Sequence, residues 1–190
     1  LLDTESWDAF FATLFHQASP GDYILFAPAW VLGGPTGVML QNIALIGLGA
    51  WFLWKLAGLF FSPRIAGTAT AAYLLLPATL FHPHAFVSEA ICNPLLIAAS
   101  YFFLRHATSE VPRRRDLTAA ALITALLCFS RHVFLPLPLF LAALLAVAAR
   151  SQMSERLRGA AVLVLVGYSL VAAWGAAAHF AKPVYGEGAS

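Results

Sequence analysis

A few ionisable side chains interrupt an otherwise apolar sequence, and their types and spacing are the first guide to chemistry. Asp3, Glu5 and Asp8 form an acidic cluster beside Trp7, Phe10, Phe11, Leu14 and Phe15. Carboxylates so grouped suit the solvated face of a helix lying in a membrane interface, and nothing local makes any of them a base. Glu89 follows His82-Pro83-His84 at the start of an apolar run. Pro83 fits a first helical position, which places Glu89 in the second turn, where the helix dipole favours negative charge. That carboxylate either serves the dipole alone or faces a cavity and binds a cation or polar substrate. Arg131-His132 separates two short apolar runs. An arginine there snorkels to the interface or recognises a phosphate through its planar fork. His82 and His84 without a fixed carboxylate nearby do not make a metal-ligand set, so no metal site is assigned.

The elements that would carry these residues belong to a membrane protein. Of 190 residues 61% are hydrophobic and 11% charged, with mean hydropathy +0.79, whereas soluble domains are about 25% charged. Such a chain cannot clothe a soluble surface, and nothing in it suggests a nucleic-acid partner. The expected fold class is all-α: a polytopic transmembrane helix bundle with N-terminal interfacial, juxtamembrane helices. Residues 1–35 are expected to form an extracytoplasmic loop with two such helices, at Asp3 to His16 and Tyr23 to Leu32, the second interfacial or re-entrant and stopped by Gly33-Gly34-Pro35. Residues 36–181 form the bundle, and 182–190 begin another extracytoplasmic loop. Six membrane segments are expected: Val38 to Phe61, Ile65 to Phe81, Ala85 to Leu104, the short pair Leu117 to Ser130 and Val133 to Ala149, and Gly159 to Ala181, with Arg150 to Arg158 a polar loop. Strict alternation gathers Lys55, Arg64, Arg105, Arg113, Arg114, Arg115, Arg150, Arg156 and Arg158 on one side, leaving Arg131 and Lys182 opposite. The positive-inside rule makes the crowded side cytoplasmic. Cys92 and Cys128 lack CxxC spacing and are expected to pack as small hydrophobes.

In their order along the chain, four stretches resemble the C-type glycosyltransferases of the protein O-mannosyltransferase and aminoarabinose-transferase type. Asp3-Thr4-Glu5-Ser6-Trp7 with Ala12 and Leu14 is similar to the family's first-loop pattern. Pro20-Gly21-Asp22-Tyr23-Ile24-Leu25, ending in Leu32-Gly33-Gly34, is similar to its Pro-x-Tyr-Pro-Leu block. Phe81-His82-Pro83 through Ser88-Glu89-Ala90 looks like its second acidic position, and Phe129-Ser130-Arg131 with Pro136 like its Leu-Thr-Arg-Pro element. Trp7 stands where the family usually has Tyr, Asp22 replaces a commoner apolar or Pro residue, and His132 replaces Pro after the arginine. The family's first spanning helix has no counterpart before Asp3 and its later helices none after Ser190, so the chain is expected to be a fragment of the membrane core or a truncated relative, inactive in isolation.

The resemblance implies an inverting transfer of a sugar from a polyprenyl- or dolichyl-phosphate donor to an acceptor glycan, lipid or protein on the extracytoplasmic side of the plasma membrane, the inner membrane in a bacterium. It implies catalytic roles for Asp3, as general base, and Glu89, which orients the acceptor. Arg131, helped by His132, would hold the donor phosphate, with Glu5 and His84 as further substrate-binding residues. No cofactor is assigned; if the reaction uses a divalent metal, Glu89 would hold it. The competing expectation is a non-enzymatic polytopic protein, a transporter or a scaffold subunit. A transporter would place ionisable groups near the midplane and show repeated halves, and neither pattern is found in the sequence.

Overall fold

The computed structural model describes residues 21–81, 89–109, 113–148 and 153–185, which are helical with no strand among them. In chain order α1 spans Gly21–Ala57, α2 Pro63–Leu75, α3 Pro77–Phe81, α4 Glu89–Thr108, α5 Arg114–Ser130, α6 Leu137–Ala148 and α7 Met153–Tyr185, with a 3-10 turn at His132–Phe134. The expected helix at Asp3 to His16 lies outside the described residues.

Glycine and proline decide the shape of α1. Gly34 takes φ 55 and ψ −142, a conformation that glycine adopts without the Cβ penalty, and Pro35 restarts the helix where its missing N–H is not needed. The chain reverses at this one residue. Residues equally far from Gly33 on either side meet: Gln41 Nε2 donates to the Leu25 carbonyl at 3.0 Å, and a Cβ on Gly37 would collide with the Ala29 carbonyl oxygen. Phe26 and Val38 are buried in one cluster with Ile91 of α4. Residues 21–33 therefore fold back on 35–57 as a helical hairpin, and α1 is not one long rod.

Three expected boundaries are corrected. Ile65 to Phe81 is not one segment: Leu76 is extended (φ −61, ψ 131) between α2 and α3, because Pro77 disfavours the α conformation in the residue before it. Val133 to Ala149 is not one run either. The 3-10 turn and Pro136 precede α6, which is 12 residues long, about 18 Å. Arg150 to Arg158 is not wholly a loop. α7 begins at Met153 with Glu155 in its first turn, where the dipole favours an acid, so residues 153–158 are helical.

Packing fixes the order of the helices. α4 and α5 run antiparallel, and both bury small side chains: Ala90, Ala98, Ala99, Ala120, Ala121 and Ala125. Small residues let helix backbones approach closely, the usual basis of helix association in lipid. Phe103 of α4, Leu117 of α5, Leu141 and Leu145 of α6 and Leu163 of α7 form the largest core cluster. Tyr168 of α7 donates its hydroxyl to the Leu135 carbonyl at 2.6 Å, and Trp174 meets Phe129 edge-on. Cys92 and Cys128 are buried and not joined in a disulfide, as expected of packing residues.

Two helical stretches meet the length and apolarity of a membrane span: Met153–His179, with mean hydropathy 2.0, and Tyr23–Ala57, with mean hydropathy 1.5, of which the arm 35–57 beyond the break at Gly34 is the part long enough to cross. Only 11% of the most apolar window of Met153–His179 is buried against the rest of the chain, unlike the core helix of a soluble domain. Val31, Leu32, Leu75, Val133, Val147 and Leu165 also stand outward, each more than half exposed. A surface this apolar requires lipid or another apolar partner.

Candidate functional site

Antiparallel packing brings the two ends of the α4–α5 pair together, and each end carries an ion pair. At one end Glu89, in the first described turn of α4, forms an ion pair with Nη1 of Arg131, the residue that caps α5. The partners are 42 positions apart, so only tertiary packing joins them. Both stay accessible, with 44% of the Glu89 side chain and 40% of the Arg131 side chain exposed. Arg131 itself is extended (φ −146, ψ 130), and its backbone N–H closes the last turn of α5 on Leu127. This extended residue turns the chain out of the helix and presents His132 at the surface.

The start of α1 reaches the same end. A Cβ on Gly21 would stand 2.6 Å from the Ser130 Cα, so the backbone of residue 21 lies directly on the end of α5. Ser130 is fully buried, and its hydroxyl has no hydrogen-bond partner among the described residues. A hydroxyl so placed costs about 1–3 kcal/mol.

At the opposite end Arg105 Nε pairs with Asp116 Oδ2 at 3.1 Å. Asp116 is buried and also lies 3.9 Å from Arg115 Nε. Arg105 Nη1 donates to the Tyr101 hydroxyl at 2.9 Å, and its guanidinium sits 5.6 Å from the Tyr101 ring centre. Sequence reasoning missed this group, though a signal was present: Asp116 is the lone acid among Arg113, Arg114 and Arg115, directly before an apolar run. Lys55 Nζ lies over the Trp54 ring at 4.8 Å near the end of α1, a pairing typical of a membrane interface.

Of the six expected site residues, the structure brings Glu89 and Arg131 into contact, and His132, which follows Arg131 in the chain, is exposed. Asp3, Glu5 and His84 lie outside the described residues. No group of three or more metal-ligating side chains occurs among the described residues. No family model matches the chain, and neither a curated protein nor a solved structure matches it.

The contact of Glu89 with Arg131 sets what this end can do. The planar N–H donors of arginine match carboxylate and phosphate oxygens alike, and here the guanidinium is held against the Glu89 carboxylate. Partial exposure of both side chains gives a ligand access.

Proposed function

We propose that the chain is a multi-pass membrane protein and part of a lipid-phosphate-dependent glycosyltransferase, working at the end that carries Glu89 and Arg131. The observation that carries the reading is the meeting of these two residues at one accessible end of the bundle. The opposite end holds Lys55, Arg105, Arg114 and Arg158, which makes it cytoplasmic by the positive-inside rule. In this reading α2 with α3, α4, α5 and α6 with its 3-10 turn are membrane segments in addition to the two long ones, and the hairpin of α1 is a re-entrant or interfacial device beside the site.

The reaction runs by direct displacement. An acceptor hydroxyl oxygen bonds to the anomeric carbon as the bond from that carbon to the phosphate oxygen breaks, with inversion. The hydroxyl proton passes to the Asp3 carboxylate, which must come within hydrogen-bond reach of it. The leaving polyprenyl phosphate keeps the bonding electrons, and Arg131 stabilises its growing charge. Glu89 holds the acceptor while its partner arginine turns toward the phosphate. The contact of Gly21 with Ser130 puts the described start of α1 at the same end as Glu89 and Arg131.

The test uses the full chain in detergent with polyprenyl phosphate as probe, retention being read by native mass spectrometry. Arg131→Lys keeps the charge but loses the fork, so retention should fall about tenfold with the melting temperature nearly unchanged. Asp3→Asn should leave retention intact and abolish transfer in the complete enzyme. Equal loss of fold and retention in Arg131→Lys would reduce the pair to a structural clamp. No retention by the unaltered chain would sink the donor assignment and favour a transporter or scaffold subunit.

A further inference from the structure

The charged end opposite Glu89 and Arg131 contains a cavity of about 470 Å³ that the proposed reaction does not use. His106 of α4, Arg114 at the start of α5 and Arg156 and Arg158 of α7 line it, with Glu155 as the one acid among the described residues. Its floor is apolar: Leu117, Leu145 and Val162 come from α5, α6 and α7. We propose that this cavity binds the phosphodiester headgroup of an anionic membrane lipid on the cytoplasmic side. The proposal rests on the membrane reading above but not on the glycosyltransferase one.

The cations are not equivalent. Arg156 Nη1 donates to the Ala146 carbonyl at 3.4 Å and so ties α7 to the end of α6. His106 Nδ1 donates to the Arg113 carbonyl at 3.1 Å and shapes the turn before α5. Arg114 and Arg158 are exposed, and they are the residues that reach a phosphate. Their planar forks suit its oxygens. The N-termini of α5 and α7 open on the same cavity, adding partial positive charge.

A lipid fits better than a soluble anion for two reasons. The volume lies within the roughly 300–1,000 Å³ range of small-ligand pockets, yet much of the lining is hydrocarbon, which a free phosphate would leave unused. Leu165, one turn deeper along α7 than the lining Ala161 and on the same face, is 73% exposed. It offers an acyl chain a path along α7 away from the headgroup.

The test compares retention of phosphatidylglycerol and phosphatidylcholine by the full chain reconstituted in mixed-lipid nanodiscs, read by native mass spectrometry after release into detergent. The unaltered chain should keep phosphatidylglycerol selectively. Each arginine near an anionic lipid surface is worth about a fivefold change in affinity, so Arg114→Gln with Arg158→Gln should cut retention by about 20-fold. Arg64→Gln, at the same end but outside the cavity, should have no effect. Ala161→Glu, at an exposed lining position, brings in a repelling carboxylate without disturbing the core and should act like the double variant. Equal retention of both lipids, or an unchanged double variant, would overturn the proposal. So would protection against heat by inorganic phosphate equal to that by phosphatidylglycerol, which would make the ligand a soluble anion. Release of the chain from membranes by alkaline carbonate would instead defeat the membrane reading itself.

Discussion

Asp116 shows most clearly how a single charge is accommodated in this apolar chain. Its carboxylate is 4% exposed and its partner Arg105 28%, so the pair is largely shielded, and removing one partner strands the other. Asp116→Asn should therefore cost about 2–3 kcal/mol, below the full range for a deeply buried pair because Arg105 retains some solvent. Arg115→Gln should cost less than about 0.5 kcal/mol, since that side chain is 72% exposed and 3.9 Å away. Tyr101→Phe, which removes the hydroxyl accepting from Arg105, should fall between them at about 1 kcal/mol. Denaturation in mixed detergent micelles measures all three, and an equal effect of Asp116→Asn and Arg115→Gln would show that burial does not govern this cluster. The same residue scale marks the limit of sequence reading. Glu89 and Arg131 stand out as rare charges in apolar surroundings, but their contact depends on the register of two helices 42 positions apart, which no local pattern encodes.

At the scale of the element, helix positions were legible because hydrophobic runs and Pro or Gly breaks mark them, whereas the direction of the chain after a break was not. Gly33-Gly34-Pro35 announces a stop; the fold-back depends on the positive φ of Gly34 and on what meets across the turn. The same blindness hid the break at Leu76, where an apolar run masked the effect of Pro77 on its neighbour. The hairpin predicts a contrast among its glycines. Gly37→Ala drives a methyl into the Ala29 carbonyl and should cost about 1–3 kcal/mol, while Gly33→Ala has open space within 4 Å and should cost well under 1 kcal/mol. Thermal unfolding in detergent distinguishes them. If Gly33→Ala proved the more harmful, the two arms would not be packed as described.

For the whole molecule, Lys55, Arg105, Arg114 and Arg158 gather at the end opposite Glu89 and Arg131, and on the multi-pass proposal the positive-inside rule would orient that end to the cytoplasm. On a background with Cys92 and Cys128 replaced by Ala, a cysteine at exposed His132 should react with a membrane-impermeant maleimide added to intact cells. One at exposed Arg114 should react only after permeabilisation. Reaction at 114 from outside would invert the topology and move the proposed site to the cytoplasm. The gathering of cations at one end was legible because it needs only the count of cations per loop; the cavity among His106, Arg114 and Arg158 was not, because it arises where four helices converge. The two ion pairs also carry a consequence for the bilayer itself. Residues 89 to 105 of α4 climb about 24 Å, so the charged groups clamping the helix pair are closer together than the roughly 30 Å of a typical hydrocarbon core. On the multi-pass reading this hydrophobic mismatch is relieved by local thinning or tilt, at a fraction of a kcal/mol per Å. On that reading the α4–α5 pair would act as a gauge of membrane thickness: lipids with shorter acyl chains would leave both ion pairs in the headgroup layer, while longer chains would draw at least one of them into oil.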